Sequence, residues 1–134
     1  MNIEYREQKE YTEAEIERLF LSVGWESGKF PSEIVKGLKN STTVISAWDG
    51  SRLVGLIRGL DDGYTIGFIH YVLVDPEYQG QHIGNELMRR LMDKYRYLLH
   101  VKVMPSDPKT LNFYRRFGFE VFDNYTAMEI NHMH

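Results

Sequence analysis

Val72-Leu73-Val74-Asp75-Pro76-Glu77-Tyr78-Gln79-Gly80-Gln81-His82-Ile83-Gly84 is the stretch that decides the fold of this chain. A β-rich run ends in three apolar residues, Asp75-Pro76 stops it, and the chain turns into a helix. That helix is legible as a stripe. Ile83, Leu87, Met88, Leu91, Met92 and Tyr95 recur at helical spacing, with Glu86, Arg89, Arg90, Asp93 and Lys94 on the other face. The first turn of a helix offers unpaired N–H groups and the positive end of the dipole. Glycine lets a bulky anion approach the backbone, and Gly80 and Gly84 are placed for it. The junction is therefore either a pyrophosphate site or an ordinary strand-to-helix connection with two turn glycines. No Gly-Lys-Ser/Thr follows, which excludes a Walker-type loop.

Working outward, the residues before this junction predict a meander. Asn2–Gln8 alternates weakly as a first strand. Thr12 with Glu15 has capping-box spacing ahead of Ile16, Leu19, Phe20 and Val23. Gly24-Trp25-Glu26-Ser27-Gly28 breaks that helix, and Pro31 starts a second one carrying Ile34, Val35 and Leu38. Thr42–Trp48 and Arg52–Leu60 read as strands joined at Asp49-Gly50. Asp61-Asp62-Gly63 then turns into a long strand, Tyr64–Val74. After the central helix the pattern predicts a strand at Leu98–Met104 and a helix over Lys109–Phe117 closed by Gly118. A final pair of strands follows, Phe119–Phe122 and Thr126–Ile130. The fold class is α/β (α+β): one central mixed, mostly antiparallel sheet flanked by helices on both faces, in a single domain over 1–134.

Composition sets the outer limits. The 134 residues are 43% hydrophobic and 26% charged, an ordinary globular balance. There is no cysteine, which removes disulfides, thiol nucleophiles and iron–sulfur sites together. Sixteen Lys+Arg against nineteen Asp+Glu leave a net charge of −3, and a phosphate-neutralising surface shows the opposite sign, so nucleic acid is not expected as a partner. The five histidines show no metal-ligand spacing, His132 and His134 at the C-terminus included, and no metal is expected. No apolar run reaches about 18 residues and the N-terminus is polar, so neither a membrane nor a signal peptide is expected, and the chain is read as cytoplasmic.

The strand–turn–helix stretch resembles the GNAT superfamily of acetyl-CoA-dependent N-acetyltransferases. Their signature is Gln/Arg-x-x-Gly-x-Gly/Ala at a helix start, after a strand ending in Val-x-Pro. Gln79, Ile83 and Gly84 match, and Val74-Asp75-Pro76 precedes them. Some thirty residues on, Phe113-Tyr114-Arg115-Arg116-Phe117-Gly118-Phe119 is similar to the family's Phe-Tyr-x-x-x-Gly-Phe segment. The order of elements fits nearly the whole chain. Two positions depart. His82 stands where the signature has its middle glycine: it is tolerated if already helical, weakens binding if the backbone must touch the pyrophosphate, or bonds a phosphate through its ring. Asp107 stands where the family often has an Asn contacting the pantetheine arm.

The resemblance implies a cosubstrate, acetyl-CoA, and an acceptor amine. Backbone groups of Val72 and Val74, with Leu73 between them, would bond the pantetheine arm like an added strand. The N–H groups of Gln79, Gly80, Gln81, His82, Ile83, Gly84 and Asn85 would hold the pyrophosphate. An amide near Val72 would polarise the thioester carbonyl, and Tyr114 would protonate the leaving thiolate, unless it is only a core aromatic. A homodimer is a further expectation from the family.

The acceptor side rests on position. Alternation puts Phe68, His70 and Val72 on one face, which makes His70 either the proton acceptor from the amine or a satisfied half-buried histidine. Phe68 stands where some members carry a base glutamate. Glu26, Asp61 and Asp62 are either amine-attracting or solvated turn acids. Trp25 and Tyr64 are either walls of an amine pocket or core packing. Some features, Val23-Gly24-Trp25 among them, look similar to arylalkylamine-type members. The expected function is transfer of an acetyl group to a primary amine, such as an arylalkylamine, a polyamine or a protein amine. The alternative is a weakly catalytic module that binds CoA or a protein.

Overall fold

The computed structural model describes residues 2–133, so His134 lies outside the described residues. The chain divides after Lys102 into two compact units.

The first unit is built on a sheet in the order β1-β2-β3-β4-β5: β1 (Ile3–Glu7), β2 (Thr43–Asp49), β3 (Arg52–Asp61), β4 (Ile66–Val74) and β5 (His100–Val103). β1–β2, β2–β3 and β3–β4 pair antiparallel, and the sheet as a whole is mixed with antiparallel pairing dominant. α1 (Glu13–Ser22) starts where the capping spacing places it: Thr12 Oγ1 accepts from the Glu15 N–H at 3.1 Å. α2 (Pro31–Lys39) has proline in its first turn, where a missing N–H costs nothing. α3 (Ile83–Tyr95) is the helix of the central stripe.

The two faces of the sheet are sorted by alternation. Leu56 and Leu73, partners across β3–β4, are buried with Val44, Ile16, Leu19, Phe20 and Leu38 under α1 and α2. Gly55, Gly59 and Gly67 point the other way, toward α3. A Cβ on Gly67 would lie 2.7 Å from the Tyr95 ring, and one on Gly59 would collide with the Tyr95 hydroxyl. Absence of side chains lets the helix seat its last turn on the sheet, where Tyr95 donates to Asp61 Oδ1 at 3.0 Å. Burial of Phe20, Leu87 or Leu91 contributes roughly 1.5–3 kcal/mol each.

The second unit holds a short 3-10 turn, Pro108–Thr110, running into α4 (Leu111–Arg115). The helix expected over Lys109–Phe117 is shorter because its end tightens. Phe117 N–H bonds the Tyr114 carbonyl at 2.9 Å and Gly118 N–H the Arg115 carbonyl at 3.0 Å, both three residues back. The strand pair expected at Phe119–Phe122 and Thr126–Ile130 is absent: among the described residues no strand follows Val103. Alternating apolar residues make a strand only where a ladder takes up their backbone groups. Here no backbone bonds join the two arms, and Val121, Phe122, Tyr125, Met128 and Ile130 are all exposed.

Candidate functional site

The end of β4 is fixed by a buried carboxylate. Asp75, 2% exposed, pairs with Arg18 at 2.8 Å and Arg52 at 3.2 Å and accepts the Glu77 N–H at 2.9 Å. Burial alone would raise its pKa, but the Arg18 bond, the Glu77 amide and Arg52 outweigh it and hold the carboxyl below the usual range. Asp75 thereby pins the 3-10 turn Pro76–Tyr78, whose Tyr78 hydroxyl donates to Asp49 at 2.5 Å. The chain leaves this turn through Gly80 at φ +85° and reaches His82 at φ +64°.

His82 is not helical, so the condition under which it is innocuous is not met. It is the N-cap of α3 and, among the described residues, the one non-glycine residue in the left-handed region. That conformation costs an L-residue roughly 1–2 kcal/mol, so the position has glycine's geometry and a histidine's side chain. The ring Nδ1 lies 3.3 Å from Asn85 Nδ2 and caps no N–H. The first intrahelical bond is Glu86 N–H to the His82 carbonyl at 3.0 Å. The N–H groups of residues 80–85 have no acceptor among the described residues. A left-handed pair of turns followed by a bare helix start is a concavity of donors suited to a phosphate or pyrophosphate. Beside it, the Val74 carbonyl accepts from Gln79 Nε2 at 3.1 Å, which leaves it one lone pair for a further donor.

On β4 the expected alternation breaks. Arg58 pairs with Tyr71 but Gly59 pairs with Ile69, so His70 has no partner across the ladder. Such a bulge flips the side-chain alternation beyond it. Val72, opposite Ile57, falls on the α3 face, whereas Tyr71 packs edge-on against Phe20 of α1 at 4.9 Å. His70 and Val72 therefore do not share a face. The His70 ring lies 4.3 Å from Tyr71 and 6.0 Å from Phe68. Desolvation against these neighbours, and then the Arg58 charge, hold His70 below the ordinary histidine value, which keeps the imidazole neutral.

Trp25 belongs to the same cluster, 6.0 Å from Tyr71 and 5.9 Å from Phe20. Tyr64 does not: it is 81% exposed on the β3–β4 turn and makes no ring contact there. Glu26 is exposed at the start of the 3-10 turn Glu26–Lys29, which follows Trp25. Asp62 is spent on its own turn. It accepts the N–H groups of Tyr64, Thr65 and Ile66 and the Thr65 hydroxyl, which lower its pKa. The pairing residues of the cluster that sequence alone did not single out are Tyr71 and Arg58. The bulge that brings them forward leaves no mark in the pattern of residue types.

Within the second unit, the Tyr114 ring packs edge-on between Phe113 at 5.1 Å and Phe119 at 5.8 Å. Its hydroxyl bonds no described residue, and desolvation raises its pKa, so it holds its proton. Asp107 caps the 3-10 turn by accepting the Lys109 N–H at 2.9 Å. No group of three or more His, Asp or Glu among the described residues is placed to hold a metal, and no described helix is long and apolar enough to cross a membrane.

A mixed α/β sheet whose fourth strand delivers the chain onto a helix start lined with acceptor-free amides defines a class of fold whose strand–helix junction presents donors suited to a phosphorylated ligand. The chain belongs to the acetyltransferase (GNAT) family, which it matches over residues 5–119. It is 33% identical over 111 residues to an uncharacterised N-acetyltransferase of Porphyra purpurea, covering 78% of this chain and 63% of that protein. The chain spans 60–63% of the length of this and three similar curated relatives. A GNAT-family acetyltransferase of Streptococcus pneumoniae TIGR4 superposes with a TM-score of 0.82 at 29% identity, over 98% of this chain and 99% of that one. A protein of unknown function from meticillin-resistant Staphylococcus aureus superposes with a TM-score of 0.87 at 25% identity, over 97% and 99%.

Proposed function

We propose that the chain is an N-acetyltransferase that moves an acetyl group from acetyl-CoA to a primary amine. The observation that carries this is the run of acceptor-free N–H groups over residues 80–85, on the elements where the family holds its pyrophosphate. Val72–Val74 supplies the strand along which the pantetheine arm would lie, its Val74 carbonyl still able to accept one bond. The amine nitrogen attacks the thioester carbonyl carbon. The C–N bond forms, the C–S bond breaks, and the thiolate leaves with the proton of Tyr114. The proton released by the amine goes to His70 or to water; what supports His70 is its place against Tyr71, beside Trp25, and a ring that desolvation keeps neutral, not a face shared with Val72. With no cysteine in the chain, direct attack needs no acyl-enzyme.

The acceptor classes are a small amine, such as an arylalkylamine or a polyamine, or a protein amine. The half-buried rings of Trp25 and Tyr71, packed on the core, support an acceptor with an apolar or aromatic body. The competing reading is a CoA-binding module without turnover, supported by the strained His82 at the phosphate site. Release of free thiol from acetyl-CoA across an amine panel separates them. The transferase reading predicts amine-dependent release and an N-acetylated product. Stabilisation by acetyl-CoA with no release from any amine would favour the binding module.

A further inference from the structure

Arg58 has no assigned task. It lies on the α1–α2 face of β3, opposite Tyr71 across the ladder, with its guanidinium carbon 4.6 Å from the Tyr71 ring centroid. A Cβ on Gly37 of α2 would lie 3.4 Å from its terminal nitrogen. Trp25 lies 6.0 Å from Tyr71, and His70 abuts Tyr71 at 4.3 Å. The Arg58 Nε is buried without a hydrogen-bond partner, and no described carboxylate pairs with the guanidinium. Burial pushes its pKa down, the reverse of Arg52, which has carboxylate partners.

Buried polar groups are almost always satisfied, so an orphan calls for an explanation, and an incoming partner is one. The Tyr71 face accounts for one side of the guanidinium plane. Its edge, with donors in a fork matched to a carboxylate, is left over. Nearby aromatic rings exclude water and strengthen such a pair.

We infer that Arg58 is a specificity residue for the acceptor, and that the acceptor is an amine carrying a carboxylate, bound by the Arg58 fork beside the half-buried rings of Tyr71 and Trp25. This rests on the transferase reading and narrows its acceptor to amino acids or acidic peptide amines. A bound carboxylate would sit within reach of His70, so the amine on the same molecule is delivered to the residue proposed to take its proton. Simple arylalkylamines and polyamines lack the group and become poor substrates.

The test uses matched pairs that differ in the carboxylate alone: phenylalanine with phenethylamine, lysine with cadaverine, and a short peptide with and without an acidic residue beside its amine. For the wild type, kcat/KM should favour the acid of at least one pair by 10-fold or more. Arg58→Met should lose that preference, the ratio of acid to decarboxylated partner falling toward one. Arg58→Lys should recover part of it, and acetyl-CoA stabilisation should be unchanged in both. Equal rates within every pair, or an equal loss on acid and amine in Arg58→Met, would overturn the inference. The free amino acids and the peptides identify the source of the carboxylate. A second readout does not need turnover: calorimetric binding of the N-acetylated acids against the matching N-acetylated amines. Acid-selective binding lost in Arg58→Met upholds the site even if no amine is acetylated, whereas turnover without acid preference sinks the site and leaves the transferase standing.

Discussion

Tyr114 illustrates how far a single side chain can be tested. Its ring is held by Phe113 and Phe119 and its hydroxyl bonds no described residue. Tyr114→Phe keeps the packing and removes only the proton. The expected result is a kcat lower by about 10²–10⁴ with acetyl-CoA affinity little changed; equal turnover would return Tyr114 to packing. His70 makes a sharper prediction because its pKa direction is known. Lowered by desolvation and by Arg58, it should give a kcat/KM that rises with pH through a limb below the ordinary 6.5. His70→Gln should abolish the limb, and Arg58→Met should move it up toward 6.5. A single rise near the amine's own pKa, unmoved by His70→Gln, would mean the substrate deprotonates in solution. The residue scale is also where sequence reading failed. Period-two alternation placed His70 beside Val72, and one unpaired residue in the β3–β4 ladder reversed that placement.

At the scale of the element, the start of α3 carries the donor site. Gly84→Glu places bulk and negative charge among the free amides and should abolish the thermal shift produced by acetyl-CoA; a normal shift would move the site elsewhere. His82→Gly should raise stability, by up to roughly 1 kcal/mol, because glycine adopts the left-handed region without strain and repays part of the gain through the unfolded chain. A chemical melt with and without acetyl-CoA also shows whether the imidazole aids binding, since a variant that is more stable alone but less stabilised by the ligand assigns the ring to the phosphate. The junction was legible because its parts are local: a proline stop, glycines and a helical stripe. The left-handed turn at His82 was not, since nothing in a histidine advertises positive φ. The C-terminal strands failed for the converse reason. Their residue types fit a hairpin, but pairing is a property of neighbours, not of composition.

For the whole molecule, Asp75 joins the helix α1, the hairpin residue Arg52 and the end of β4 at one buried carboxylate. Asp75→Asn should cost roughly 2–3 kcal/mol at pH 7, a buried-pair value discounted for the partial exposure of both arginines. Because its folded pKa is depressed, the stabilisation is complete above the ordinary 3.8 and is lost as pH falls through the folded value. Melting curves of wild type and variant should therefore converge at acid pH; a gap that stays constant would deny the ionic origin. The meander of β2, β3 and β4, with its two antiparallel pairs, was legible because turns and alternation encode it; the pairing of β1 with β2 was not, because no turn joins them. The Asp75 hub joins residues 57 positions apart and was invisible. The central claim is direct transfer from acetyl-CoA to an amine, and initial rates with both substrates varied test it most directly. The account predicts intersecting double-reciprocal lines with the N-acetylated amine as product. Parallel lines, or no amine-dependent thiol release at saturating acetyl-CoA, would contradict it.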